Sequence, residues 1–409
     1  MNRGDAITPD RSFVPPALPV VAGGANPPPA TAGALVWSPI EQSLMRWDRG
    51  TRVWQRVAST QQHQGHAGLR KWWTALGRVR AGTGDARIAC IGDSTTAGYG
   101  TTGNGSAGAW PALLANILNG YGVPAARSGP WGVHQSGISV DERVTLADGW
   151  TYLSGGGPLG GWRGMVSGAG TLELAIAEEF DKLTVWYPTA GVFATGGADV
   201  SIDAEATLGS PSANGASGWG SVTYTVTAGV HTVKIKCPQS GSNWFPLAGI
   251  ETRLSTEPRV LIHNWGANGQ QLSDTNFLAD DNAYDPLRLW TAMSPDLTII
   301  NYGINDINNG YPLQSYAARM ATLVERATSV GSVLLVVPNQ PGTTYVGHTR
   351  QWDKLRELIH GLGYPVLDLT ARWGTNAQGT AAGLTVDEIH PNDAGYGDIA
   401  NAVARAILQ

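Results

Sequence analysis

Cysteine is scarce in this chain. There are two in 409 residues, Cys90 and Cys237, far apart in sequence. That excludes a disulfide framework, and with no C-x-x-C pair it excludes the usual zinc spacing. Charge is also thin. Charged residues make up 14% of the chain, against roughly 25% in an average protein. The 27 basic and 32 acidic residues leave a net charge of -5 with no Lys/Arg block, so the electrostatic footprint of a nucleic-acid binder is missing. No apolar run approaches the roughly 18 residues that a membrane span requires. The opening stretch "MNRGDAITPDRSFVPPALP" has no apolar core of the kind a secretory signal needs. The expectation is a chain with no standard export signal and no membrane or nucleic-acid partner. The compartment stays open between cytoplasm, a virion and a leaderless export route.

Glycine and apolar residues are plentiful. The 54 glycines are nearly twice the usual share and point to many turns, and the 42% hydrophobic content supports a large core. Residues 1–35 are rich in Pro, Ala and Gly and read as a semi-extended arm. In 36–66, "LMRW" and "RVWQRV" flank the turn signal "DRG", which predicts a small β-hairpin. From 67 the pattern becomes strand and helix. "AGLRKWWTALGRVRAG" has helical spacing, "RIACI" reads as a buried strand, and "AWPALLANILNGYG" as a helix with Pro111 in its first turn. Residues 151–256 differ. Short alternating stretches such as "KLTVWYP", "VTYTVTAG" and "HTVKIKC", separated by Gly, Ser and Asn clusters, predict an inserted all-β sandwich. After 257, "RVLIHNW", "DLTIINYG", "SVLLVVPN" and "YPVLDLT" are expected strands with helical segments between them. The whole predicts an α/β core, in two parts (67–150 and 257–409), with a mainly parallel sheet covered on both faces.

The chemistry-bearing residues cluster where such a sheet places ligands, at the carboxyl ends of its strands. In "IACIGDSTTAGYG" the strand stops at Gly92 and delivers Ser94 at once. A serine hydroxyl needs a base, and the usual base is a histidine held by a carboxylate. Of eight histidines, only His360 and His390 have an acid three residues earlier. Glu357–His360 lies in "KLRELIHGL" and reads as a surface pair on one helix turn. Asp387–His390 lies in "TVDEIHPNDAGY", a loop ahead of the last helix. "NWGANGQ" offers Gly269, with Gly266 as the fallback, and "NYGINDINNG" offers Asn305 as donors for a developing oxyanion.

Taken in order, these blocks read GDS, N-x-G-x-x-G, G-x-N-D and D-x-x-H. This set resembles the SGNH (GDSL) hydrolase family. The resemblance implies a three-layer α/β/α sandwich with Ser94 as nucleophile, His390 as base and Asp387 orienting it. It also implies an oxyanion hole from the N–H groups of Ser94 and Gly269 and the side chain of Asn305, with no cofactor and no metal. The G-x-S-x-G elbow of the other large esterase fold is absent. Within that family, the 16 tryptophans, several of them in glycine-rich loops (Trp131, Trp150, Trp162, Trp219 and Trp244), favour sugar faces. The β module resembles the carbohydrate-binding sandwiches that accompany carbohydrate esterases, and Trp219 and Trp244 are its candidate substrate contacts. The expected activity is removal of O-acetyl groups from a polysaccharide. A lipase or thioesterase on longer acyl esters and a non-catalytic glycan-binding virion protein are the alternatives. The N-terminal hairpin resembles those of phage virion proteins, so residues 1–66 are expected to attach to a phage particle or to a second copy of the chain.

Overall fold

The protein is described from a computed structural model covering residues 35–38, 43–48, 53–59, 68–102, 106–129, 141–146, 150–153, 162–165, 171–190, 197–203, 206–236, 245–272, 286–342 and 349–408. The expected arm, up to residue 34, lies outside the described residues, as does Trp244. The chain divides into two compact units, Met1–His66 and Ala67–Gln409. In the first, β1 (Leu35–Ser38), β2 (Ser43–Asp48) and β3 (Val53–Ser59) form an antiparallel sheet in that order. The predicted hairpin is its β2–β3 pair, in which Trp47 stands opposite Trp54. The added strand β1 pairs along β2 from Leu35↔Arg46 to Ser38↔Ser43.

The second unit begins with α1 (Arg70–Arg80), β4 (Ala86–Gly92), the one-turn helix α2 (Ser94–Ala97), α3 (Trp110–Gly120) and β5 (Ala125–Ser128). Next come β6 (Val144–Leu146), β7 (Trp150–Leu153), β8 (Trp162–Met165), β9 (Thr171–Ala175) and β10 (Phe180–Thr189). These are followed by β11 (Asp199–Ile202), β12 (Gly218–Gly229), β13 (Thr232–Lys236), β14 (Phe245–Leu247) and β15 (Gly249–Arg253). Then β16 (Val260–Gly266), α4 (Pro286–Met293), β17 (Leu297–Asn301), α5 (Ile304–Asn308), α6 (Leu313–Val330) and β18 (Ser332–Val337) follow. The chain ends with α7 (Thr349–Gly361), β19 (Val366–Asp368), α8 (Leu369–Trp373), α9 (Asn376–Ala381) and α10 (Asp393–Leu408).

Six strands make the central sheet in the order β19-β18-β17-β4-β16-β5, every pair parallel. A parallel sheet must be covered on both faces, so its strands are apolar almost throughout. In β4, Ile88 and Cys90 join one core with Trp72, Leu76, Trp110, Leu114, Tyr396 and Val403 from α1, α3 and α10. Ala89 and Ile91 join the other with Trp290, Met320, Leu323, Trp352 and Leu355 from α4, α6 and α7. The result is the expected three-layer α/β/α arrangement. The chain leaves β4, crosses to β5 at the edge, returns to β16 beside β4, and only then builds the other half of the sheet. The carboxyl end of β4 is therefore where the strand order reverses, the place where such sheets open a crevice.

The antiparallel strands β6–β15 lie in sequence between β5 and β16. They form sheets ordered β12-β10-β15, β11-β13-β9-β6 and β14-β8-β7. Leu172, Leu174, Phe180, Leu183, Val185, Val200, Val233, Ile235, Phe245 and Ile250 give them a shared buried cluster. The first strand to join is Val144–Leu146, paired with β9 ahead of the position 151 expected for the start of this region. Three short polar-flanked residues carry too little alternation to read as a strand. Ion pairs tie these strands to the parallel sheet: the Arg87 guanidinium holds both oxygens of Glu251 at 2.9 and 3.0 Å. Glu251 is 1% exposed. Burial pushes its carboxyl up, and the hydrogen bonds and charge of Arg87 outweigh that and lower it.

Two glycines test this packing in opposite directions. Gly77 is in the exposed middle of α1, and a Cβ there meets nothing within 4 Å. Gly77→Ala is expected to stabilise by about 0.5–1 kcal/mol. A Cβ on Gly266 would run into the backbone of Ala97 and Thr96, so Gly266→Ala is expected to cost about 1–3 kcal/mol or more. Urea unfolding of both variants checks the pair; an unaltered midpoint for Gly266→Ala contradicts the packing described.

Candidate functional site

The turn after β4 is built to present a serine. Asp93 leaves the strand with extended backbone and caps α2, its Oδ1 accepting from the Thr95 N–H at 2.8 Å and the Thr95 hydroxyl at 2.7 Å. Ser94 is the first residue of α2. So sharp a strand-to-helix turn leaves no room for side chains behind it. A Cβ on Gly92 would strike the Thr96 hydroxyl and the Asn301 carbonyl.

The loop ahead of α10 brings His390 to that turn. Ser94 Oγ lies 3.0 Å from His390 Nε2, and His390 Nδ1 lies 2.8 Å from Asp387 Oδ2. An ionised carboxylate only accepts, so Nδ1 carries the proton and the lone pair of Nε2 faces the serine hydroxyl. Asp387 Oδ1 also accepts from the N–H groups of Ile389 at 2.7 Å and His390 at 2.6 Å. Burial pushes Asp387 up, but the His390 ring and the two backbone donors outweigh it and hold the carboxyl at about 2. It is ionised throughout the neutral range. The loop itself is fixed from several sides: Gly342 N–H donates to Glu388 O at 2.7 Å, Asn339 Nδ2 to Ile389 O at 2.8 Å and Asn376 Nδ2 to Glu388 O at 3.1 Å. The Tyr99 ring packs on the His390 ring with centroids 4.3 Å apart.

The other two expected residues come from the strands flanking β4. After β16, Ala267 N–H donates to Gly92 O at 2.9 Å and Gln270 N–H closes a turn onto Ala267 O at 3.2 Å. Gly269 sits in that turn at φ +72°, with open space where a side chain would be. The Gly266 N–H is already donated to Asn264 Oδ1 at 3.0 Å, which leaves Gly269 as the candidate donor. Asn305 lies in α5, just after β17, and its Nδ2 donates to Gln270 O at 3.0 Å. An amide nitrogen carries two protons, so a second remains for a ligand.

Two expected residues behave differently. Trp219 is half-buried and packs against the core cluster of Trp265, Leu289 and Trp290, so the apolar side of that layer accounts for it. His360 is not held by Glu357. Its Nε2 meets Asp368 Oδ2 at 2.9 Å, beside Arg356 on the same oxygen at 2.9 Å. The turn between α7 and β19 folds Asp368 back to the helix end, which spacing along one helix cannot foresee. Among the described residues no group of three His, Cys, Asp or Glu is placed to hold a metal ion, and no helix is long and apolar enough to cross a membrane.

Residues 220–397 match the GDSL-like Lipase/Acylhydrolase family. The match takes in Gly269, Asn305, Asp387 and His390, and Ser94 lies upstream of it. A peptidoglycan O-acetylesterase has a similar fold, with a TM-score of 0.64 at 20% identity over 84% of this chain and 97% of that one. A catalytic mutant of an acetylxylan esterase from Geobacillus stearothermophilus matches 36% of this chain and 73% of its own at 21% identity, with a TM-score of 0.29. A comparison with curated proteins finds none that matches. The likeness to the O-acetylesterase is one of fold, and the family match covers the part of the chain from β12 into α10.

Sequence reasoning passed over one titratable group here. Burial raises Asp93 to about 6, against hydrogen bonds from Thr95 and attraction to His390. An unfolded aspartate titrates near 3.9. As pH rises from about 4 to about 6, the unfolded chain therefore sheds this proton before the folded chain does. Stability falls through that window and is level above it, by about 3 kcal/mol in all. Asp93→Asn cannot titrate and is expected to lack the decline. Urea unfolding near pH 4 and near pH 7 should show the variant gaining about 2–3 kcal/mol on the wild type between the two; a constant difference contradicts the assignment.

Proposed function

We propose that the protein removes O-acetyl groups from a polysaccharide through an acyl-enzyme on Ser94. The observation that carries this reading is the hydrogen-bonded chain from Ser94 Oγ through His390 to Asp387 at 3.0 and 2.8 Å. Ser94 Oγ attacks the ester carbonyl as its proton passes to His390 Nε2. Asp387, acid enough to stay ionised beside the ring, stabilises the imidazolium. The tetrahedral oxyanion forms between the N–H groups of Ser94 and Gly269 and the second amide proton of Asn305. Donors already fixed in place lower the barrier because nothing must reorganise as the charge appears. His390 returns the proton to the departing sugar hydroxyl, and water repeats the steps on the acyl-enzyme to release acetate.

The acetylated-glycan substrate is supported by the shared fold with a peptidoglycan O-acetylesterase and by a chain rich in tryptophan, whose ring presents a flat apolar face with a polar edge suited to sugars. The strands β6–β15 have the place of an accessory glycan-holding region in this reading.

Acetate release from a panel of acetylated polysaccharides, beside p-nitrophenyl acetate and octanoate, tests it. Ser94→Ala and His390→Ala are each expected to lose at least about a thousandfold in kcat. Acetate should be released from at least one glycan, and octanoate should be a poor substrate. Preference for octanoate overturns the glycan assignment, and undiminished hydrolysis by Ser94→Ala overturns the nucleophile.

A further inference from the structure

The G-x-N-D block supplies Asn305 to the proposed oxyanion hole and leaves its last residue, Asp306, without an assigned part. Asp306 is 1% exposed on α5. Its carboxylate receives the Leu272 N–H on both oxygens, at 2.9 and 3.1 Å. Leu272 lies three residues beyond Gly269 on the same stretch after β16. The neighbouring Asn305 meanwhile donates to Gln270 O at 3.0 Å. Adjacent residues of one short helix thus grip the loop at two points, one accepting and one donating. At its other end the loop is fixed by Ala267 N–H on Gly92 O at 2.9 Å, next to the serine turn.

The turn between these anchors holds Gly269 in a left-handed conformation with open space around it. Hydrogen bonds at Ala267, Gln270 and Leu272 hold the chain on either side of it. We propose that Asp306 is a positioning residue: by accepting the Leu272 N–H it sets the loop so that the Gly269 N–H points to the same spot as the Asn305 amide. This rests on the oxyanion hole proposed above. Asp306 contacts neither substrate nor reacting atoms in this account. What Leu272 requires of it is an acceptor oxygen, not its charge.

The test is steady-state hydrolysis of p-nitrophenyl acetate by the full chain, with unfolding curves giving the folded fraction. Asp306→Ala is expected to lower kcat about tenfold to a hundredfold, because donor alignment and not substrate binding is lost. KM should stay within about threefold. Asp306→Asn keeps an acceptor oxygen for Leu272 and is expected to recover most of kcat. In an Asn305→Ala background, where the Gln270 tether is already gone, Asp306→Ala should cost less than it does alone. Should Asp306→Ala not fold, Asp306→Ser, whose hydroxyl is too short to reach Leu272, replaces it with the same expectations. An unchanged kcat for the folded fraction of Asp306→Ala overturns the proposal. So does an Asp306→Asn enzyme as slow as Asp306→Ala, since charge or packing would then be what matters. Ser94→Ala run beside these separates the two levels. Activity surviving in Ser94→Ala overturns the underlying reading, whereas an inactive Ser94→Ala with an unaffected Asp306→Ala overturns this inference alone.

Discussion

The parallel pairing of β4 with both of its neighbours is the constraint on which the rest of the structure depends. Its register sets Gly92 opposite Gly266 on one side and Asn301 on the other. All three strands then end at one level, and the loops that leave them start from the same edge. Two of the three positions carry no side chain. The turn into α2 fits only because Gly92 and Gly266 have no Cβ to meet Thr96, Ala97 and the Asn301 carbonyl. Ser94 and the stretches that carry Gly269 and Asn305 each leave one of these strands, and the backbone hydrogen bonds of a parallel sheet give the strands no freedom to slide. His390 is added from the far end of the sequence by a loop with its own fixed contacts.

The strands β6–β15 enter between β5 and β16 without disturbing this edge. Two ion pairs that tie them to the parallel sheet lie toward the amino end of β4, where Arg87 meets Glu251 and Arg253 lies 3.8 Å from Asp85. His263, in β16, is 3.5 Å from Glu251 and wholly buried. Burial pushes its imidazole down to about 4, only partly offset by Glu251, so at neutral pH it adds no charge to the cluster. A buried carboxylate with a bidentate guanidinium partner contributes little net stability, but removing one member leaves the other uncompensated. The cluster therefore fixes where the two parts meet more than it strengthens either. At the opposite edge the Asp387 carboxylate is 46% exposed, where Glu251 is 1% exposed.

Much of this was legible in the sequence. The strands of the central sheet announce themselves as unbroken apolar runs because both of their faces are covered. "IACIGDS" joins such a run directly to a glycine, an acid and a serine, and Asp387 precedes His390 by the offset that lets one short loop form the pair. What escaped reading has physical reasons. β6 is three residues long and exists through its pairing with β9, not through its own pattern. Trp219 reads as a surface platform in a glycine-rich stretch and is half-buried, packed against the buried cluster that includes Trp265 and Trp290. Asp306 stands in plain sight beside Asn305, yet its carboxylate accepts from the Leu272 N–H, 34 residues away. The family match likewise starts well past Ser94, within β12, and strands β6–β15 part in sequence what the β4–β16 pairing rejoins in space.

The most direct test of the central claim is covalent. The full chain would be treated with a fluorophosphonate, which esterifies a serine only where a neighbouring base has activated it, and the modified peptide located by mass spectrometry. The account predicts one adduct, on Ser94, that is lost in His390→Ala. An adduct on a different serine, or ester hydrolysis that continues with Ser94 unmodified, would contradict it.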